Sequence, residues 1–242
     1  MSKSDRERRG QSGAGVWTIV AAAGEGNRFG GAKQFSRLGN RCVIDWTVQR
    51  AARWSEGVVV VLPEARAVGA DAWQLSDPDG DCAGQVVAVA GGVLRSDSVR
   101  RGLSRVPDDA EIVLVHDGAR PLATDGVFER VIRAVRAGAD AAIPVIEVTD
   151  TIRWRGGGTA DRRKLAAVQT PQAFRAGALR AAHAAGADAT DDATLVEATG
   201  ATVVTVDGDS RNLKITEPHD LVTAEALLES CSGSGHAGES HG

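Results

Sequence analysis

No apolar run in the 242-residue chain approaches the ~18 residues that a membrane-spanning helix requires. The longest, Val16 to Ala23 and Val58 to Leu62, have the length of strands, so no membrane partner is expected. A basic excess is missing too: 28 Lys+Arg against 32 Asp+Glu leave a formal net charge of −4. Duplex-binding domains rely on such an excess to displace counterions, and nucleic acid is therefore not an expected partner. Cysteine is scarce and unpatterned. Cys42, Cys82 and Cys231 are odd in number and form no CxxC pair, which excludes a disulfide framework and a cysteine zinc site and fits a reducing, cytoplasmic setting. Arg6, Arg8 and Arg9 ahead of a run ending Ala21-Ala22-Ala23 mimic a secretory signal superficially. The run is short, carries Trp17 and Thr18, and leads straight into a glycine-rich loop that cleavage would sever from its strand.

Hydrophobic residues at 43% and charged residues at 25% are those of an ordinary globular protein. At roughly 150 residues per domain, the length suits one domain over residues 16–229, flanked by polar tails at 1–15 and 230–242 that are expected to be disordered. His236 and His241 in the second tail lack a fixed geometry for a metal.

Short β-branched runs alternate with stretches of helical periodicity. Strands are predicted at Trp17 to Ala22, Val58 to Leu62, Val86 to Ala90, Ile112 to His116, Ala141 to Val145 and Thr202 to Val206, each nearly continuously apolar and so buried on both faces. Val43, Thr47, Val48, Ala51 and Ala52 form one helical stripe, and Val127, Val131, Ile132 and Val135 another. Such β-α-β crossovers predict an α/β fold with a Rossmann-like, doubly wound, mainly parallel sheet. The alternation breaks over about 147–170, where Val148 to Trp154, Gly156-Gly157-Gly158 and Leu165 to Val168 predict a protruding β-arm. A two-stranded ribbon is marginal alone, so the arm packs either on a second subunit or locally on its own body.

After the first strand, Gly24, Gly26, Gly30 and Gly31 place four glycines in eight positions, with Arg28 among them and Lys33 just beyond. Such a loop can turn successive backbone N–H groups toward an anion, with mobile cations beside them. Two familiar phosphate loops do not fit. In the dinucleotide fingerprint, Phe29 occupies the third glycine position. In the Walker loop, Ala32 separates Gly31 from Lys33, and Gln34 replaces the magnesium-binding hydroxyl.

Taken with later segments, the loop resembles the LxAAGxGxRxxxxxPKQ signature of the 2-C-methyl-D-erythritol 4-phosphate cytidylyltransferase family. His116-Asp117-Gly118-Ala119-Arg120-Pro121 is similar to its HDAARP, Asp150-Thr151 to its arm DT and Thr170-Pro171-Gln172 to its TPQ. Thr190-Asp191-Asp192 is similar to its TDE, and Asn212-Leu213-Lys214 to its NIK. These motifs span about residues 17–228 in order. Ala32 stands in place of a proline, Gly118 in place of an alanine, and Val93 where an acidic residue often follows Gly91-Gly92.

The resemblance implies an enzyme that joins CTP to 2-C-methyl-D-erythritol 4-phosphate, giving CDP-methylerythritol and pyrophosphate in the non-mevalonate isoprenoid route. Two anions must meet in that reaction, which positive groups can achieve without a covalent intermediate. By resemblance, Arg28 and Lys33 stabilise the transition state, and Arg162 and Lys214 hold the acceptor phosphate. Ala22, Ala23, Gly24, Gly26, Gly92 and Ser98 face the nucleotide. Arg120, Thr151, Arg162, Thr170 and Lys214 form the acceptor side, with Arg162 and Thr151 reaching a neighbouring subunit, so a homodimer is expected. Asp117 ends a strand at the carboxyl edge, where it is a candidate for the ribose or a metal. His116 is assigned a structural role, because a phosphate dianion needs no deprotonation to attack. Magnesium or another divalent cation is expected, held mainly by CTP; Asp191-Asp192 reads as capping charge at a helix start. Two alternatives remain: a ribitol 5-phosphate cytidylyltransferase on the same scaffold, and a NAD-dependent dehydrogenase with Asp45 as the ribose-binding acid.

Overall fold

Valine-rich strands with no polar face build the centre of the computed structural model, which describes Gly13, residues 15–67 except Glu25, Asn27 and Arg28, residues 85–186, and residues 188–233 except Thr190. Strands β1 (Val16–Ala21), β4 (Gly57–Leu62) and β6 (Ile112–Asp117) are buried along almost their whole length. They join β5 (Gln85–Ala90), β7 (Ala141–Glu147), β8 (Ala166–Val168), β9 (Gln172–Arg175) and β10 (Val203–Asp207) in one sheet. The order is β10-β7-β9-β6-β1-β4-β5, with β8 paired to β7. β1 runs parallel to β4 and β6, β4 to β5, and β10 to β7. A small hairpin of β2 (Arg37–Leu38) and β3 (Arg41–Cys42) lies apart.

The six predicted strands are present. β9 was not among them: its four residues are too short a run to stand out, and it is antiparallel to both β6 and β7. Both predicted stripes lie on helices, α1 (Val43–Ala52) and α4 (Asp125–Arg136), and both are buried. The short α2 (Glu64–Ala67) follows β4. α1 and α4 pack on one sheet face with Val20, Val60 and Leu114. α3 (Arg95–Leu103), α5 (Ala176–Ala184) and α6 (Asp192–Glu197) bring Val99, Leu179 and Val196 against Ile19, Val61 and Val113 on the other. Helices on both faces explain why these strands lack the polar alternation of half-exposed sheets. α7 (Pro218–Gly233) packs Ala224 with Leu38 and Ile215, and is helical past Ser230, where a tail was expected. No helix among the described residues is long and apolar enough to cross a membrane.

From β1 the chain steps to β4 and β5 on one side, then returns to place β6 on the other side of β1. Ala21 and Asp117 are paired at the carboxyl ends of these two strands, so the reversal opens a crevice there, where doubly wound sheets bind ligands. The predicted arm is also present. It leaves β7, turns through Gly157 and Gly158, is bridged at Arg153 and Thr159, and returns as β8 against Val145–Glu147. Residues 149–168 are exposed except for half-buried Ala160, with Trp154 65% exposed. In the single chain the arm therefore stands off the body rather than docking on it.

Candidate active site

One wall of the crevice is the chain that follows β1. Gly26 adopts φ +69, and a Cβ there would overlap the Gly31 carbonyl oxygen, so this tight reversal requires glycine. The Phe29 N–H donates to Gly26 O at 2.8 Å and closes the turn. Beyond it, Lys33–Phe35 form one 3-10 turn. Gln34 folds back from that turn, and its buried Nε2 donates to Ala22 O at 2.7 Å and Gly24 O at 3.1 Å. This clamp fixes the loop to the strand end and carries Lys33 to the rim.

The facing wall is Gly91-Gly92 and the start of α3. A Cβ on Gly91 would overlap that of Ala23, so this glycine lets the two walls approach, and one on Gly92 would overlap that of Asp97, so the second lets the start of α3 fold back over its own wall. The Gly92 N–H donates to Ser98 Oγ at 3.1 Å.

Asp117 forms the floor. Its carboxylate Oδ2 lies 2.8 Å from Lys214 Nζ and 3.4 Å from Arg120 Nε. Burial alone would raise its pKa, but Lys214 and Arg120, with Arg95 farther off, hold it well below the usual carboxylate range. Three distant segments meet behind it. Arg120 Nη1 donates to Asn212 O at 2.7 Å, Asn212 Nδ2 to Thr170 O at 2.8 Å, and the Asp117 N–H to Thr170 Oγ1 at 3.0 Å. Thr170 Oγ1 is also 2.9 Å from His116 Nδ1. Burial pushes the pKa of His116 down to about 3, against the pull of Asp117. The ring is neutral at physiological pH and serves as a buried brace.

The crevice encloses about 260 Å³. Of the residues singled out in the sequence, Ala22, Ala23, Gly24, Lys33, Gly92, Ser98, Asp117 and Lys214 line it together. Gly26 shapes the loop without lining the space, and Arg120 and Thr170 stand behind Asp117. Arg28 lies outside the described residues, as does Thr190 of the Thr190-Asp191-Asp192 motif. Thr151 and Arg162 are not brought to this crevice. Both are exposed on the arm, where Arg162 Nη1 donates to Thr149 O and Arg162 borders a separate hollow with Glu147, Arg163 and Leu165.

Two readings need correction. Asp191 does cap α6, accepting from the Thr194 N–H at 3.0 Å, but Asp192, read as a second capping charge, stands in the first turn and is spent on side-chain partners. Its side chain is fully buried between Arg95 and His183. Asp45 is not a ribose acid: its Oδ2 accepts from the Cys42 N–H at 3.0 Å and caps α1. Sequence reasoning also missed Arg95, which lines the crevice, and the clamping role of Gln34, although Gln34 stands in the signature that the loop resembles.

A family model described as IspD, 2-C-methyl-D-erythritol 4-phosphate cytidylyltransferase, matches residues 16–230. A 2-C-methyl-D-erythritol 4-phosphate cytidylyltransferase of Frankia casuarinae is 44% identical over 226 residues, covering 89% of this chain and 82% of that protein. One of Rhodococcus jostii is 43% identical over 226 residues, covering 88% and 95%. Among solved structures, the 2-C-methyl-D-erythritol 4-phosphate cytidylyltransferase of Thermus thermophilus superimposes with a TM-score of 0.72 at 37% identity, covering 88% of this chain and 98% of that one.

Proposed function

The chain belongs to the 2-C-methyl-D-erythritol 4-phosphate cytidylyltransferase family, and from that premise we propose how its crevice joins CTP to 2-C-methyl-D-erythritol 4-phosphate. A nonbridging oxygen of the acceptor phosphate attacks the α-phosphorus of CTP. The bond from that phosphorus to the bridging oxygen breaks, and pyrophosphate leaves in line. The observation that carries this reading is the crevice itself: at the reversal between β1 and β6, the glycine loop and Lys33 share one space with Lys214.

Each group's part follows from its chemistry. The backbone of Ala22, Ala23, Gly24 and Gly92 and the hydroxyl of Ser98 receive the nucleotide. Lys33, together with Arg28, neutralises charge gathering on the α-phosphoryl oxygens. Lys214 draws the acceptor phosphate to the attack position; its ion pair with Asp117, which Arg120 and Thr170 orient, sets the ammonium in place beforehand. No general base is needed, since the attacking phosphate already carries lone pairs, and the neutral, buried His116 fits a structural role.

A divalent cation such as Mg2+ fits this crevice as an ion carried by CTP. Asp117 is the one carboxylate among the described lining residues and is already engaged by two cations. No cluster of three His, Cys, Asp or Glu residues suited to a metal occurs among the described residues. When bound, the ion shields phosphate charge and aligns the leaving pyrophosphate.

The arm supplies the remaining acceptor contacts across a homodimer, in a cytoplasmic enzyme. Arg162 and Thr151 lie on an arm whose apolar residues Ile152, Trp154, Leu165 and Val168 are exposed in the single chain, as befits a surface awaiting a second subunit. Mixing the protein with CTP, 2-C-methyl-D-erythritol 4-phosphate and Mg2+ is expected to release pyrophosphate in step with CDP-methylerythritol. Absence of release at any enzyme concentration overturns the reading.

A further inference from the structure

Arg95 opens α3 and lines the crevice with Lys33 and Lys214, yet none of the motifs considered above includes it. Its Nη1 donates to Asp192 Oδ2 at 2.6 Å. The other oxygen of Asp192 lies 3.0 Å from His183 Nε2, and both the Asp192 and the His183 side chains are buried, at 0% and 1% exposure. An ionised carboxylate accepts hydrogen bonds but cannot donate them, so Nε2 of His183 carries the proton in this contact. A carboxylate taken out of water is costly unless both oxygens are satisfied; Arg95 and His183 satisfy them from two different helices.

This arrangement is not needed to terminate either helix. Asp97 caps α3, accepting from the Leu94 N–H at 3.4 Å, and Asp191 caps α6. The next residue repeats the link: Ser96 Oγ donates to Asp188 Oδ1 at 2.7 Å. Two consecutive residues at the mouth of α3 are thereby tied to the first residue of α6 and to the segment that leads into it. The side chain of Arg95 keeps 30% exposure, and its planar fork has further donors suited to paired phosphate oxygens.

We propose that Asp192 is a positioning residue which, braced by His183, aims the guanidinium of Arg95 at the phosphates of the bound nucleotide, making Arg95 a further phosphate-binding group of the crevice. The inference rests on the reading that this crevice takes CTP. Lys33 and Lys214 share the lining with Arg95, against the single carboxylate of Asp117, so the space selects an anion. Burial disfavours the charge on Arg95, but Asp192 and Asp117 more than offset it and raise its pKa, so the group stays cationic throughout the working range.

Calorimetric titration with CTP and Mg2+, paired with steady-state kinetics, tests this. Arg95→Gln is expected to weaken CTP binding about tenfold or more, as loss of a charge-assisted hydrogen bond does, while KM for the acceptor stays within about twofold. Asp192→Asn is expected to weaken CTP binding severalfold in the native background and to add little when Arg95→Gln is already present. His183→Phe removes the second partner of Asp192 by another route and carries the same expectation if Asp192→Asn fails to fold. Native CTP affinity in Arg95→Gln overturns the inference, and so does an equal penalty from Asp192→Asn or His183→Phe whether Arg95 is present or not. A wild-type protein that binds no CTP overturns the proposed function itself.

Discussion

His116 illustrates how burial converts a titratable side chain into a pH-dependent contribution to stability. Its pKa falls from the ordinary 6.5 to about 3 on folding, chiefly through desolvation. The native state therefore binds fewer protons than the unfolded chain between those values, and stability rises with pH there. The contribution is complete above about 6.5 and is lost as pH falls toward 3, at up to ~1.4 kcal/mol per pH unit. The depressed carboxylate of Asp117 adds a loss of the same sign at still lower pH. Urea melts at pH 7, 6 and 5 are expected to show this slope, and His116→Gln, which has no proton to take up, is expected to flatten it. Unchanged slopes would mean that the ring takes up its proton equally in the folded and the unfolded chain. Lys33 offers a second test, on activity. Lys33→Ala is expected to lower kcat by orders of magnitude with a native melting temperature, because under the proposed mechanism it removes charge stabilisation from the transition state rather than packing.

The loop after β1 is held by a side chain rather than by its own ladder, which makes its rigidity separable from that of the sheet. Gln34 Nε2 serves the carbonyls of Ala22 and Gly24 together. Gln34→Leu fills similar space but leaves the carbonyl of buried Ala22 unpaired. It is expected to cost about 1–3 kcal/mol in a denaturant melt and to raise KM for CTP. Gln34→Glu is expected to be worse near neutral pH, since a carboxylate would face two carbonyl oxygens without a proton to donate. What the sequence made legible follows the same division between local and distant causes. The valine runs of β1, β4 and β6 announce themselves because both faces are buried, and the stripe Val127, Val131, Ile132 and Val135 because one helix face is. The glycine loop, Asp117 and Lys214 were legible through motifs that carry their own neighbours. Arg95 and Asp192 were not, because they stand 97 positions apart and only the packing of α3 near α5 and α6 brings them together. Asp45 misled for the opposite reason: an acid at the right spacing from a glycine loop was spent on capping α1.

The body of the chain brings Lys33, Asp117 and Lys214 together in one crevice, whereas the arm carries Arg162 and Thr151 to a different surface. Trp154 at 65% exposure, with Ile152, Leu165 and Val168, gives the arm apolar area that one chain leaves in water. If, as proposed, the arm seats on a second subunit, Trp154→Asp is expected to weaken self-association in sedimentation runs and to lower activity in parallel at dilute protein concentration. A sharper test uses two disabled chains. If each crevice combines its own Lys33 with the Arg162 of a second subunit, a dimer of one Lys33→Ala chain and one Arg162→Ala chain has one crevice lacking both groups and one possessing both. After random exchange in a two-fold dimer, half the dimers are mixed and each has one intact site of two, so about a quarter of native activity is expected to return. If Arg162 instead acts within its own chain, every crevice in the mixture lacks one group and no activity returns on mixing. Recovery near a quarter, reached at the rate of subunit exchange, assigns the arm to the neighbour's chemistry; a flat baseline assigns it elsewhere.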